Sequence, residues 1–260
     1  MLEKEFPLVT LIRNSSNLGF AAANNQALKI MRGRYAVLLN TDTVLVEGAV
    51  SNLMDFMESS PEAAMACGQL LNADGSKQNS IAKFPDLLNI IIGSPLLEYL
   101  FPRYYPSKRY DHKNPVEIDS GIGACLIVRK KSIDEVGLLD ERYFFFFEET
   151  DWALQMKKAG WKIFFVPTAL IYHLQGQSVG HNISSRILFY RSRYKYFQKW
   201  NVPLYNVFVR TIIFSRLAVN WIFNLLIFAV MLGLNKRTGD RLRVYSKLIA
   251  WHLKGCPDEN

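Results

Sequence analysis

Residues 34–43 read Arg34-Tyr-Ala-Val-Leu-Leu-Asn40-Thr-Asp42-Thr43, and this stretch decides the fold. Tyr35 to Leu39 is an uninterrupted apolar run, apolar on both faces as a central strand of a parallel sheet should be. The polar Asn-Thr-Asp-Thr that ends it falls beyond the carboxyl end of that strand, where open α/β sheets bind ligands. A carboxylate there suits Mg2+ or Mn2+, which take oxygen ligands and join one or two carboxylates to a diphosphate. The same residues are also turn formers, and spacing alone leaves both readings open.

Outward from this run, short β-rich stretches alternate with helical patterns, the signature of an α/β layer fold. Leu8–Ile12 reads as a strand, and Ala21–Met31 as a helix closed by Gly33. A helix over Gly48–Glu58 precedes a strand near Ala63–Cys67, and Asn72-Ala-Asp-Gly75 is a turn. Gly123–Arg129 returns as a strand and Ser132–Val136 as a short helix. Thr150–Ala159 is a helix ended by Gly160, with strands Lys162–Val166 and Ala169–Leu174 on either side of Pro167. Residues 84–115 carry five of the ten prolines, with Arg103, Tyr104, Tyr105, Lys108, Arg109 and Tyr110, and read as a long functional loop or lid.

Three further constellations carry chemistry. Phe144–Phe147 reads as an apolar strand that runs into a helix opening with Glu148, Glu149 and Asp151. Acids in a first helical turn complement the macrodipole, which accounts for Asp151. Glu148 and Glu149 follow four phenylalanines, and a carboxylate desolvated there gains the proton affinity a general base requires. In Asn17-Leu-Gly19-Phe20, Gly19 allows a tight turn into a helix whose N-terminus can receive a phosphate, or is an ordinary capped loop. His173, at a strand end, is by itself more often structural than a ligand.

Charge is unevenly placed. Residues 1–180 hold 18 Lys and Arg against 20 Asp and Glu, a net of −2, whereas residues 181–260 hold 13 against 3, a net of +10. Three scattered cysteines exclude a disulfide framework and point to a reducing compartment. The N-terminal Met1-Leu-Glu-Lys-Glu carries charges where a secretory signal needs apolar residues. Leu217–Leu234 runs 18 residues without a charge, near the lower limit of a bilayer span, with Arg210 and Arg216 before it and Lys236, Arg237, Arg241 and Arg243 after it. Cations at both ends suit a segment at an anionic membrane surface, and burial against the body is the alternative. Leu242–Leu253 reads as an amphipathic helix. The tail aromatics lie in the apolar run rather than between cations, and no nucleic-acid motif is present. The expected division is residues 1–182 and a basic, helical, membrane-associating region, residues 183–260.

Taken in order, these motifs resemble family 2 glycosyltransferases of the GT-A fold, especially their rhamnosyltransferase-like bacterial branch. The matching stretches are NLGFAAANNQAL (17–28), RYAVLLNTDT (34–43), LLNADGS (70–76), GACLIVRKKSIDEVGLLDERYF (123–144), FFEETDWALQMKKAGWKIFFVPTALIYH (146–173) and QGQSVG (175–180). The resemblance implies a three-layer α/β/α domain with a mostly parallel sheet. Asp42 matches the acid of the family's metal- and diphosphate-binding motif, with Asn40 where many members have a first acid. Glu149 matches the catalytic base, usually Asp, and Asp151 a further acid beside it. His173 matches a histidine that completes the metal site, and Asn17 and Gly19 match the loop beside the nucleotide.

The reaction so implied is metal-dependent, inverting transfer from a dTDP- or UDP-sugar, with rhamnose favoured, to a lipid-linked or polysaccharide acceptor at the cytoplasmic face of the cell membrane. The resemblance begins at the family's third strand, so it also implies a chain without the preceding strand-helix-strand unit. That would expose a sheet edge and remove half of the nucleotide pocket. The alternative expectation is accordingly an inactive remnant that binds membrane.

Overall fold

The computed structural model of the chain describes residues 2–105, 111–174 and 183–258. In chain order the first elements are α1 (Leu2–Glu5), α2 (Phe20–Ile30), β1 (Tyr35–Leu39), β2 (Thr43–Leu45), α3 (Ala49–Ser59), β3 (Ala63–Leu71) and β4 (Ile81–Ala82). There follow α4 (Leu87–Ile92), α5 (Ser94–Leu100), β5 (Val116–Ile118), β6 (Ser120–Gly121), β7 (Cys125–Arg129) and α6 (Lys130–Val136). The last are α7 (Glu148–Lys158), β8 (Lys162–His173), α8 (Ile183–Trp200), α9 (Pro203–Val230) and α10 (Lys236–Leu253). They form two compact units, Met1–Ala82 with Asp111–Leu174, and Lys83–Tyr110 with Gln175–Asn260. The division thus passes through the proline-rich segment as well as after residue 174, where the sequence suggested one boundary at 182. QGQSVG and residues 106–110 lie outside the described residues.

The first unit is built on a sheet of order β1-β7-β3-β8-β2, with β5 also paired to β8. β3 and β8 run parallel, with Ala66 opposite Phe164 and Leu70 opposite Ile171. β7 lies antiparallel between β1 and β3, and β2 and β5 are antiparallel to β8. The sheet is therefore mixed rather than mostly parallel. β1, β3 and β8 share one direction and β7, β2 and β5 the other. Pairings between strands almost a hundred residues apart fix these directions, and local apolar runs do not encode them. β3 is buried at all nine positions, as a strand covered on both faces must be. Ala49, Leu53 and Met57 of α3 pack on Ala66, Leu70, Cys125 and Ile127 from one side. Leu126 and Val128 alternate to the other face, where α6 and α7 pack.

Arg129, at the end of β7, ties these layers together. Its guanidinium donates to the carbonyls of Ala63 at 2.7 Å, Met57 at 2.6 Å and Ser60 at 3.0 Å, and to the Tyr35 hydroxyl at 3.0 Å. One charged fork thereby gathers the carbonyls where α3 ends and β3 begins, that of Ser60 also accepting from Ala63 N at 3.0 Å.

Three local expectations are corrected. Leu8–Ile12 is not a strand: it has no ladder partner among the described residues, and Leu8 is 98% exposed. Phe144–Phe147 is a series of bends, because Phe146 and Phe147 adopt left-handed φ of 69° and 72° that a strand excludes. Part of the 84–115 segment is helical: the Asp86 side chain accepts from Asn89 N at 2.6 Å to cap α4, and Pro95 lies in the first turn of α5.

In the second unit, α9 and α10 form an antiparallel hairpin. The turn between them uses Leu232 and Gly233 at φ of 49° and 76°, and Trp221 Nε1 donates to Ser246 Oγ at 2.8 Å. α9 is longer than the apolar run suggested and is long and apolar enough to cross a membrane. Val219, Phe223, Leu226 and Val230 on it are exposed. Trp251 of α10 instead stacks inward on Tyr194, with ring centroids 6.3 Å apart.

Arg129→Met keeps the apolar stem but removes the side-chain donors to the carbonyls of Met57 and Ala63, while the Ser60 carbonyl keeps its bond from Ala63 N. It is expected to lower unfolding free energy by about 2–4 kcal/mol, read as a fall in the urea midpoint with an unchanged slope.

Candidate functional site

The site grows from the way β1 ends. Asn40 N donates to the Ala124 carbonyl at 2.9 Å, and the Thr43 hydroxyl donates to the Asn40 carbonyl at 2.6 Å. Asn-Thr-Asp-Thr is therefore a turn, and the turn delivers Asp42. β2 then pairs with β8 so that Thr43 lies opposite His173, and Leu174 N donates to the Asp42 carbonyl at 2.8 Å. The two readings of the motif are thus one structure. His173 Nε2 stands 3.5 Å from Asp42 Oδ1, with the two side chains only 11% and 7% exposed.

Gln78 determines what that contact means. Its side-chain Nε2 donates to the His173 carbonyl at 2.6 Å, which turns Oε1 toward His173 Nδ1 at 3.1 Å. This pattern places a proton on Nδ1, so that the neutral imidazole turns its Nε2 lone pair toward the Asp42 carboxylate. Two electron-pair donors at that distance repel, and a cation shared between them removes the repulsion. Gln69 anchors Gln78 in turn, donating to the Gln78 carbonyl at 3.0 Å and to Ser80 Oγ at 3.1 Å. Among the described residues no third His, Cys, Asp or Glu joins the pair. One carboxylate and one imidazole fit a divalent cation whose remaining ligands are phosphate oxygens and water.

The acids of α7 occupy distinct environments. All three lie in its first turn, preceded by the strained pair Phe146–Phe147. Strain of this kind costs about 1–3 kcal/mol per residue and persists only where packing imposes it. Here the Phe145 ring stands edge-on to Phe20 and Phe146, and Phe147 is buried. Asp151 is fully buried and accepts from the Tyr143 hydroxyl at 3.3 Å and Gln155 Nε2 at 2.7 Å, which makes it a support of the turn. Glu148 is also buried, and burial with its Glu149 neighbour raises its carboxyl well above the usual range.

Glu149 retains some exposure as a residue, yet its Oε2 is closed from solvent and has no hydrogen-bond partner among the described residues. Burial pushes its carboxyl from 4.5 to about 7, partly offset by backbone N–H groups of Glu149 and Thr150. That displacement favours the protonated form by about 3 kcal/mol. The helix terminus favours the anion by only about 0.3–1 kcal/mol, so desolvation wins. A Cβ on Gly123 would lie 3.7 Å from the Glu149 carboxyl carbon, and the next residue, Ala124, accepts from Asn40. Residues 123–124 thus connect the Glu149 carboxyl to the Asp42 turn.

Gly19 belongs to the acidic turn as much as to its own loop. At φ of 82°, a Cβ would meet the Phe144 carbonyl oxygen at 2.3 Å, while Phe20 N donates to that oxygen at 2.9 Å. Asn17 Oδ1 accepts from Gly19 N at 2.9 Å, so its side chain shapes this loop. Sequence reasoning missed Gln78, Gly123 and Tyr143. Gln78 and His173 are 95 positions apart, beyond the reach of any local spacing.

The mixed sheet with helices on both faces is an α/β domain of the GT-A type. Mannosyltransferase PcManGT from Pyrobaculum calidifontis, solved with GDP-Man and Mn2+, shares this fold at a TM-score of 0.53 and 14% identity, over 99% of this chain and 72% of that one. The sequence model of glycosyl transferase family 2 matches residues 1–137, and the chain belongs to that family. It is 28% identical over 199 residues to N-acetylglucosaminyl-diphospho-decaprenol L-rhamnosyltransferase of Mycobacterium tuberculosis, a match to 71% of this chain and 64% of the relative. A second relative, the uncharacterized protein y4gI of Sinorhizobium fredii, is 24% identical over 178 residues, 66% of this chain and 19% of its own length.

Glu149→Gln removes the ionisation that burial opposes. Wild-type Glu149 is protonated up to about pH 7 when folded and to about 4.5 when unfolded. The native state therefore binds the extra proton between those values, and wild-type stability falls as pH rises through that window. Glu149→Gln is expected to raise the thermal midpoint at pH 8 and leave it nearly unchanged at pH 4, by scanning calorimetry.

Proposed function

We propose that the chain transfers a sugar, with inversion, from a nucleoside-diphosphate sugar to a hydroxyl of a lipid-linked acceptor in cell-surface glycan synthesis. The observation that carries this reading is the Glu149 Oε2: closed from solvent, without a partner among the described residues, and on a carboxyl raised to about 7. A general base works best with a proton affinity near the operating pH. The acceptor oxygen attacks the anomeric carbon, the bond from that carbon to the diphosphate breaks, and the acceptor proton passes to Glu149 Oε2. Asp42 and His173 would hold a divalent cation, which when bound would supply positive charge to the departing diphosphate. Gln78 holds the His173 ring in the ligating tautomer, and Tyr143 and Gln155 hold Asp151 so that the helix start keeps its place. Mg2+ and Mn2+ both suit this donor pair.

The donor is a dTDP- or UDP-sugar and the sugar rhamnose, on the strength of the rhamnosyltransferase relative. Its lipid-linked acceptor accords with the net +10 of residues 181–260 and the exposed apolar face of α9. These features support attachment to the anionic cytoplasmic face of the cell membrane, cations near headgroups and α9 in the apolar layer.

Glu149→Gln is expected to lower transfer about 100- to 10,000-fold, and Asp42→Ala to abolish transfer at metal concentrations that saturate the wild type, in an assay with labelled dTDP-rhamnose and a prenyl-diphosphate-linked N-acetylglucosamine. The wild-type rate should rise with pH through about 7, as Glu149 loses its proton. Transfer that survives both substitutions contradicts the assigned roles. Gln78→Leu, which frees the imidazole to choose the other tautomer, should weaken Mn2+ binding about 10- to 100-fold, measured by electron paramagnetic resonance.

A further inference from the structure

The second unit contains a cavity of about 290 Å3, lined from α4, α5, α8, α9 and α10 and open to solvent on one side. Arg186, Arg193 and Arg216 line it together with Tyr190, Tyr245 and Asn220, and no Asp or Glu does. None of the three arginines makes a salt bridge among the described residues. Of the acids of this unit, Asp258 pairs with Arg191 and Lys195, Asp240 pairs with Arg243, Asp86 caps α4, and Glu98 on α5 is not among the lining residues.

Arg193 is the most enclosed of the three. Its guanidinium lies 4.6 Å from the centre of the Phe189 ring, and its Nε is closed from solvent with no hydrogen-bond partner among the described residues. Burial pushes its proton affinity below the ordinary arginine value, and the charge of Arg216 adds to that push. Arg216 donates to the Ile90 carbonyl, and its Nη2 lies where a Cβ on Gly93 would come within 3.3 Å. Glycine at 93 thus leaves room for a guanidinium to reach the cavity.

Three guanidinium groups gathered without a counter-charge repel one another, and an arrangement of this kind is stabilised by a bound anion. Guanidinium forks match phosphate oxygens, and two tyrosine hydroxyls and an asparagine amide add neutral donors. The volume lies at the small end of the roughly 300–1,000 Å3 range of ligand sites. It suits a phosphate or diphosphate group and is small for a whole nucleotide sugar.

We propose that this cavity is a phosphoryl-binding site, and that the phosphoryl group it takes is the diphosphate of the lipid-linked acceptor. The assignment to the acceptor rests on the glycosyl-transfer reading, whereas the anion site itself does not. The apolar α9, which contributes Arg216, Leu217 and Asn220 to the cavity wall, would carry the adjoining hydrocarbon chain along its exposed face.

The test is titration calorimetry of the full chain in detergent micelles with inorganic pyrophosphate. Combining Arg193→Gln with Arg216→Gln is expected to weaken binding about 10- to 100-fold, with Arg193→Lys retaining most of it. Arg243→Gln, on an exposed part of α10 outside the cavity, should leave it unchanged. Arg216→Gln alone replaces an exposed residue, and circular dichroism checks its fold. Wild-type affinity for pyrophosphate in this folded variant and in the double variant overturns the site.

Farnesyl diphosphate distinguishes the two sources of the phosphoryl group. Tighter binding than pyrophosphate, with the same arginine dependence, supports the lipid-linked source. Equal affinity overturns that source in favour of free phosphate. A wild-type chain that binds farnesyl diphosphate through these arginines yet transfers no sugar contradicts the proposed reaction and upholds the site. Transfer that is unchanged, together with pyrophosphate binding that is unchanged in the double variant, overturns the site alone.

Discussion

The register of β2 against β8 is the constraint on which the site depends. It sets Thr43 opposite His173 and thereby holds a carboxylate and an imidazole 3.5 Å apart in a place almost closed to water. A strand pair has a side-chain period of two, so a slip of one residue would carry His173 to the opposite face. The turn that begins at Asn40 fixes the register from one side, and the Gln69–Gln78–His173 network fixes it from the other. Each member of that network has a partner, as buried polar groups must if they are to specify a structure rather than weaken it.

The same end of the sheet gathers charge of one sign. Burial disfavours the ionised forms of Glu148 and Glu149, and Asp42 lies 3.5 Å from His173 Nε2. Such an arrangement costs stability and is retained where its cost is offset by chemistry. The left-handed backbone at Phe146 and Phe147 belongs to the same economy of strain. It turns the chain sharply enough to start α7 with two adjacent acids, and Gly19 admits the Phe144 carbonyl that the turn pushes outward. The basic second unit carries the opposite problem, three arginines with no acid beside them, and a bound phosphoryl group resolves it.

Much of this was legible in the sequence, and the exceptions share a cause. Tyr35–Leu39 and the turn after it declared themselves because an unbroken apolar run met polar turn formers within one residue. The strand is not the buried central one expected: it lies antiparallel at the sheet edge with Val37 and Leu39 exposed. The α3 helix and the β7 strand followed from ordinary patterning, whereas the bridging role of Arg129 did not, since its partners lie 66 to 94 positions away. Strand directions did not, because β7 enters between β1 and β3 through contacts remote in sequence. Leu8–Ile12 has the composition of a strand, yet composition supplies no neighbour to pair with. Four phenylalanines read as extended chain because nothing in them signals positive φ, which glycine or asparagine would have done. Gln78 carried no signal at all: its role exists only once residue 173 has been brought beside it.

The central claim is that Gln78 fixes His173 with its Nε2 lone pair toward Asp42, ready for a divalent cation. Nitrogen NMR of the chain labelled in its four histidines reads this directly. The account predicts a proton on Nδ1 of His173 and an Nε2 resonance that Mn2+ broadens before those of His112 and His252. A proton on Nε2, with a resonance unaffected by Mn2+, would contradict it.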